Sequence, residues 1–156
     1  MAKRIGIADT TFATYDMAKT AVQAINDSGE QVIIVRYTVP GIKDLPVAAK
    51  KLVEEENCDI ALALGMVGRD PIDAQCAHEA SNGIITAQLM SNKHILGVFV
   101  HMTEANDDAD LRELCRDRTV KHALNALALL IGKDALRPFA GQGRRQGRDH
   151  VGPIPE

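Results

Sequence analysis

The sequence predicts a three-layer α/β/α domain on a four-stranded parallel sheet. Three observations predict it: four short aliphatic runs, a stretch of helical apolar spacing after each, and Gly, Pro, Asn or Asp at the joins. Strands and helices that alternate in this way form βαβ units, whose right-handed crossovers lay helices on both faces of one sheet. The 156 residues suit a single domain over 1–156, with no linker or internal repeat. A chain of that length buries roughly 70% of the surface it would expose unfolded.

The first strand is Ile5 to Ala8, ended by the turn-forming Asp9-Thr10-Thr11. Ala18, Ala21, Val22 and Ile25 then recur at i, i+3, i+4 and i+7, and Asn26-Asp27-Ser28-Gly29 stops that helix. A second strand lies within Gln31 to Thr38. Its Val32-Ile33-Ile34-Val35 run is of the kind that fills a strand covered on both faces, and Val39-Pro40-Gly41 breaks it. Asp44 is placed to cap the next helix, Pro46 sits in its first turn, and Leu45, Ala48, Ala49, Leu52 and Val53 form its apolar stripe. Glu54-Glu55-Glu56-Asn57 closes that helix, at a small cost against its dipole. Asp59 to Gly65 reads as a buried third strand, Asp73 to about Ser91 as a long helix, and Ile95 to Val100 as a fourth strand. The last helix runs from about Asp110 to Ile131 on Leu111, Leu114, Cys115, Leu124, Leu127 and Ala128. Residues 132–156 lose periodicity and form an irregular Gly/Arg/Pro-rich tail.

Composition narrows the function. Aromatic residues are 3% of the chain and Trp is absent, so the core is aliphatic. A net charge of -3 gives no electrostatic reason to bind nucleic acid or an anionic membrane, and no apolar run nears the about 18 residues of a membrane span. A soluble, cytoplasmic protein with small-molecule or protein partners is expected. Cys58, Cys76 and Cys115 form no CxxC pair and read as small hydrophobes in a reducing compartment. His78-Glu79 starts like a zinc HExxH helix, but Asn82 replaces the second His, and no metal site is expected. Gly65-Met66-Val67-Gly68-Arg69-Asp70-Pro71 matches neither a dinucleotide GxGxxG nor a phosphate-binding GxxxxGK[ST] loop.

In open parallel sheets ligands sit outside the carboxyl ends of the strands. That rim comprises Asp9 to Asp16, Val39 to Asp44, Gly65 to Asp73 and His101 to Glu104. Phe12 can stack on a flat heterocycle or pack over a helix end. Gly41, after Pro40, permits close backbone approach, and Asp44 is a helix cap or an acceptor for hydroxyl groups. His101 can move protons near neutral pH or serve structure. Lys121-His122 and Arg144, Arg145 and Arg148 read as solvated or as subunit contacts.

The string Val39-Pro40-Gly41-Ile42-Lys43-Asp44-Leu45-Pro46, then Ala49-Lys50-Lys51-Leu52 and Ile60-Ala61-Leu62-Ala63-Leu64-Gly65, resembles the lumazine synthase family. There a strand ends in V-P-G-x-x-E-x-P, the helix carries A-x-K-L-like residues, and the next strand ends in A-L-G; Asp44 replaces the usual Glu. The likeness continues through Glu79-Ala80, Gly83-Ile84 and His94 to Val100, over roughly residues 4 to 131. It breaks after Gly65, where Met66 to Asp73 replaces the family's phosphate-binding G-x-x-x-x-G-A/T-T-x-H loop and its catalytic His. With the tail Ala140-Gly141-Gln142-Gly143-Arg144-Arg145-Gln146-Gly147, the pattern resembles the archaeal riboflavin synthase branch.

The resemblance implies a flavodoxin-like, lumazine synthase-like fold and a transferase. Its reaction would convert two 6,7-dimethyl-8-ribityllumazine molecules into riboflavin and 5-amino-6-ribitylamino-2,4(1H,3H)-pyrimidinedione. It implies no redox cofactor, leaves a divalent cation open, and implies a homopentamer with sites between subunits. Thr11 and Gly41 would touch the substrate, Phe12 would lie against a ring, Ile42, Lys43 and Asp44 would hold the ribityl chain and ring edge, and Gly65, Met66 and Val67 would form the floor. Leu96, Gly97 and Val98 would reach a neighbour's site, and His101 would shuttle protons. Two alternatives stay open: a lumazine synthase acting on a phosphorylated four-carbon ketone, and a non-enzymatic flavin or lumazine binder.

Overall fold

The aliphatic run after Asp59 becomes the centre of the molecule. In the computed structural model, which describes residues 2–156, strand β3 (Ile60–Val67) is buried along its whole length. It lies between β1 (Lys3–Thr10) and β4 (Ile95–His101), with β2 (Val32–Val39) outside β1. The sheet is parallel throughout, in the order β2-β1-β3-β4. Helices α1 (Met17–Asp27), α2 (Leu45–Glu54), α3 (Pro71–Ser91) and α4 (Asp108–Ile131) follow the strands in turn.

Successive side chains of a strand point to opposite faces, and β3 uses this to build two unlike layers. Leu62, Leu64 and Met66 join Ile5, Ile7, Val98 and Val100 in a bulky core under α1 and α4. Ala61 and Ala63 join Ala8 and Ile95 under α2 and α3. Small residues on that second face let the helices settle close to the sheet: a Cβ built on Gly6 would come 2.9 Å from Leu52 Cβ. Gly83 of α3 likewise lies so near Pro46 that a Cβ would be 2.8 Å from its ring.

Four expectations are corrected. Strand β2 is an edge strand, not one covered on both faces, and Ile33 is 44% exposed; β-branched residues favour extended backbone, but sheet position decides burial. Asp9 and Thr10 belong to β1, because pairing with Thr38 and Val39 outweighs their turn preference. Strand β3 runs two residues past Gly65 for the same reason, with Met66 paired to Val100 and Val67 to His101. Asp44 makes no side-chain cap to α2; it ends a 3-10 turn over Ile42–Asp44, and Asp44 Oδ2 accepts the Gly41 N–H at 3.3 Å.

Where capping does occur, Asp16 accepts from Lys19 N–H at 3.0 Å and Asp107 from Asp110 N–H at 2.7 Å. The tail contains only a 3-10 turn, Arg137–Phe139, yet it is tied to α4. Gly147 N–H donates to Asp117 Oδ2 at 3.0 Å, Arg118 Nε to the Gln146 carbonyl at 3.2 Å, and Arg148 Nη1 to Asp110 Oδ1 at 3.1 Å. Gly147 is needed there: its φ is +96°, and a Cβ would run into the Arg118 guanidinium. Among the described residues no helix is long and apolar enough to cross a membrane.

Leu62 is fully buried at the crossing of β3 with the α1/α4 layer. Leu62→Ala is expected to lower the unfolding free energy by about 2–5 kcal/mol, measured by urea titration followed by far-UV circular dichroism.

Candidate active site

At the carboxyl rim three strands end in the same device. A carboxylate three residues on reaches back to a backbone N–H that the ladder no longer uses: Asp44 Oδ2 to Gly41 after β2, Asp73 Oδ2 to Asp70 at 3.1 Å after β3, Glu104 Oε2 to His101 at 2.9 Å at the end of β4. The loop after β1 is fastened sideways instead. Thr11 N–H donates to the Val39 carbonyl at 2.9 Å and Phe12 N–H to the Pro40 carbonyl at 3.2 Å. This brings Phe12, 51% exposed, over the gap between the β2 and β3 loops.

The gap is a cavity of about 210 Å³, lined by Phe12, by Gly41 to Asp44, by Met66 to Gly68, and by Asp73 and Cys76. Its base depends on a missing side chain. A Cβ on Gly65 would lie 2.6 Å from Ile42 Cγ2, so the 3-10 turn rests directly on β3. Gly68 has a similar role, since a Cβ there would strike the Asp73 carboxylate and come 3.5 Å from Phe12 Cζ. The result is an aromatic face, an apolar base, and a polar edge of Lys43, Asp44 and Asp73. Such a set suits a flat heterocycle carrying a chain of hydroxyl groups. Lys43 also faces Glu79 at 3.6 Å, an exposed pair of little energetic weight.

A family model described as 6,7-dimethyl-8-ribityllumazine synthase matches residues 2–132. The chain belongs to this family. It is 51% identical over 151 residues to the riboflavin synthase of Methanothermobacter marburgensis, covering 97% of this chain and 99% of that one. To the riboflavin synthase of Archaeoglobus fulgidus it is 45% identical, over 97% and 98% of the two chains. The 6,7-dimethyl-8-ribityllumazine synthase of Ralstonia nicotianae is more distant, at 31% over 83% and 84%.

Of the residues the resemblance selected, Phe12, Gly41, Ile42, Lys43, Asp44, Met66 and Val67 meet in the cavity. Gly65 lies beneath it, against Ile42. Thr11 faces an adjoining polar pocket with Asp9, Arg36 and Thr38. There Asp9, almost wholly buried, accepts from Arg36 Nη2 at 2.6 Å and from Thr38 Oγ1 at 2.6 Å. Leu96, Gly97 and Val98 lie on β4, at the far edge of the sheet from β2. Val98 is fully buried under α1 and α4, whereas Gly97 opens onto a separate hollow with Ser81, Gln88, Arg118 and His122. His101 ends β4 and does not line the cavity of its own chain. A larger open groove of about 770 Å³ runs between the flanks of α1 and α4, from Tyr15 and Asp16 of the first rim loop to Ser28.

Sequence reasoning put Gly68 and Asp73 on the rim without selecting them as site residues, and missed Cys76; all three follow the break in the family pattern. The available signal was Asp70-Pro71 with Asp73 three residues on, a helix start that turns α3 inward. The Arg118–Glu104 pair was missed too. It is bidentate, at 2.7 and 3.0 Å, and Arg118 also donates to the Phe99 carbonyl at 2.9 Å. Burial pushes the Glu104 carboxyl up, but the Arg118 hydrogen bonds and the His101 N–H outweigh this and hold it below its usual range. Among the described residues no three His, Cys, Asp or Glu side chains cluster as metal ligands.

Two predictions follow from these environments. Cys58 and Cys115 are fully buried, and burial raises the Cys115 thiol to about 11, whereas Cys76 lines the cavity. Iodoacetamide should modify Cys76 first, and riboflavin should slow that reaction several-fold, read by mass spectrometry of tryptic peptides. The second concerns His122. Burial and the Arg118 charge push its imidazole down to about 4, below the unfolded value near 6.5. The unfolded chain therefore binds the proton more readily, and stability complete above pH 6.5 falls as pH drops toward 4, by at most about 3 kcal/mol. His122→Gln should flatten that part of the pH–stability curve.

Proposed function

We propose that this chain is a riboflavin synthase, a transferase that moves four carbons from one 6,7-dimethyl-8-ribityllumazine to a second. The carrying observation is the short passage from β3 to α3. Only residues 68–70 separate Val67 from Pro71, which leaves no length for the phosphate loop that a lumazine synthase uses on its four-carbon sugar. Neither lumazine carries phosphate. The riboflavin synthase names of relatives that match nearly full length support the same reading.

In this reading Phe12 stacks on one heterocycle, Gly41, Ile42, Lys43 and Asp44 hold the ribityl chain and ring edge, and Met66 and Val67 support the ring from below. The C7 methyl is acidic because its carbanion delocalises into the heterocycle, so the protein contributes mainly alignment and proton transfer. Two identical molecules exchange carbon with no net change in oxidation, so no redox cofactor is required. A divalent cation is tested by activity after dialysis against EDTA.

At about 210 Å³ the cavity is smaller than the roughly 300–1,000 Å³ of sites that enclose a ligand. A neighbouring subunit completes it. Apolar side chains left open on α3, Ile72, Ile85 and the 78% exposed Leu89, support burial in an assembly. A cytoplasmic homopentamer, as the family resemblance implies, is the proposed form. Leu96, Gly97 and His101 then serve across a subunit boundary.

Purified protein given 6,7-dimethyl-8-ribityllumazine alone should yield riboflavin and the pyrimidinedione in equal amounts. No riboflavin, or lumazine formed only from a phosphorylated four-carbon ketone and the pyrimidinedione, sinks the reading. Phe12→Ala should raise KM by about 3- to 10-fold, the worth of one aromatic stacking contact. Light scattering should report a mass five times that of the chain.

A further inference from the structure

The substrate cavity holds four side chains that can carry or release a proton: Lys43, Asp44, Asp73 and Cys76. Their surroundings differ. Lys43 is a cation beside Glu79, at 3.6 Å, and in that form cannot take a proton. Asp44 is exposed on the outer wall, and its Oδ2 is occupied in shaping the turn that seats Ile42. Cys76 lies just over one turn into α3 and also lines the cavity. Asp73 is half-buried and lines the same cavity.

The Asp73 carboxylate is held at one oxygen only. Its Oδ2 accepts the Asp70 N–H at 3.1 Å while its own N–H donates to the Asp70 carbonyl at 2.9 Å. Its Oδ1 has no hydrogen-bond partner among the described residues. Gly68 sets where that carboxylate stands: the Cβ position of Gly68 is 3.1 Å from Asp73 Cγ and 3.5 Å from Phe12 Cζ. One missing side chain thus lets the carboxylate and the tip of the aromatic ring share a wall. Because it is the Cζ tip of Phe12 that meets this wall, a heterocycle laid parallel on the ring would bring an edge toward it. A general base must reach the edge, where ring methyl groups lie.

We propose that Asp73 is the proton-transfer residue of the cavity, acting on the ring-methyl group of the lumazine stacked on Phe12. The proposal rests on the riboflavin synthase reading and supplies the acid–base group that His101, outside this cavity, does not provide within its own chain. In the first step a C–H bond of the C7 methyl breaks. The electron pair passes into the heterocycle, and Asp73 becomes a carboxylic acid. The methyl carbon then bonds to a ring carbon of the second lumazine, and as a carbon–nitrogen bond of that second molecule breaks, Asp73 returns the proton to the nitrogen released. Over the whole transfer two carbon–carbon bonds form, two carbon–nitrogen bonds break and the methyl protons lost reappear on the released pyrimidinedione, so atoms and electrons balance without an oxidant or co-reactant.

The test uses the full-length protein and 6,7-dimethyl-8-ribityllumazine in D₂O, with exchange at the C7 methyl followed by proton NMR beside riboflavin formation. Asp73→Asn keeps an oxygen for the Asp70 N–H and so keeps the helix start. It should lower kcat by about 100-fold or more, leave KM within about threefold, and reduce methyl exchange to the protein-free rate. Asp73→Glu should recover part of both rates. Exchange and kcat in Asp73→Asn within threefold of wild type would overturn the proposal, as would a raised KM with both rates kept. Absence of riboflavin with the unaltered protein marks instead a failure of the function reading, because Asp73-dependent exchange is scored separately.

Discussion

The contact on which the site depends is the seat of Ile42 on Gly65. Strand β3 passes beneath the β2–α2 loop at a point where no Cβ fits, so Ile42 lies against strand backbone, and the Phe99 ring stands 3.3 Å from where that Cβ would be. Any side chain at position 65 would lift the 3-10 turn, and with it Gly41 to Asp44 and the start of α2. The closeness extends along that side of the sheet. Gly6 under Leu52 and Gly83 against Pro46 draw α2 and α3 inward, while the opposite face is filled by Leu62, Leu64 and Met66. Interiors packed at crystal density offer little slack, so this narrow side is where small differences in residue size set cavity shape.

Economy at the strand ends ties stability to chemistry. A strand leaving a sheet exposes an N–H that needs a partner, and here a carboxylate three residues on supplies it after β2, after β3 and at the end of β4. One oxygen of each carboxylate is committed to structure. At Asp44 and Asp73 the side chain also borders the cavity, so the bond that fixes the loop also fixes a polar group toward a ligand. At Glu104 the second oxygen goes to Arg118, and the tail backbone at Gln146 and Gly147 closes over that arginine. The third device therefore serves the docking of the C-terminal segment on α4.

Much of the architecture was legible from periodicity. Helix stripes such as Leu45, Ala48, Ala49, Leu52 and Val53 became buried faces because spacing along a helix is a local property. The segments 39–46 and 60–65 located the rim, and six of the residues they or their neighbours suggested line one cavity together with Phe12 of the first rim loop. Less legible was the stretch after Gly65. Its glycine and carboxylates carry ordinary loop and capping signatures, and only their closeness to Phe12, far away in sequence, makes Gly68 and Asp73 part of one wall.

By itself the sequence determined the order of strands and helices, the aliphatic core and the family pattern, because these follow from residue type and spacing over a few turns of chain. Only the tertiary structure decided that β2 lies at an edge, that Asp9 and Thr10 pair instead of turning, and that Val98 is core. It also decided that Asp73 borders the cavity and His101 does not. The physical reason is common to all of these: each depends on which distant segments share a sheet edge or a Cβ-sized gap, and such proximity is created by packing.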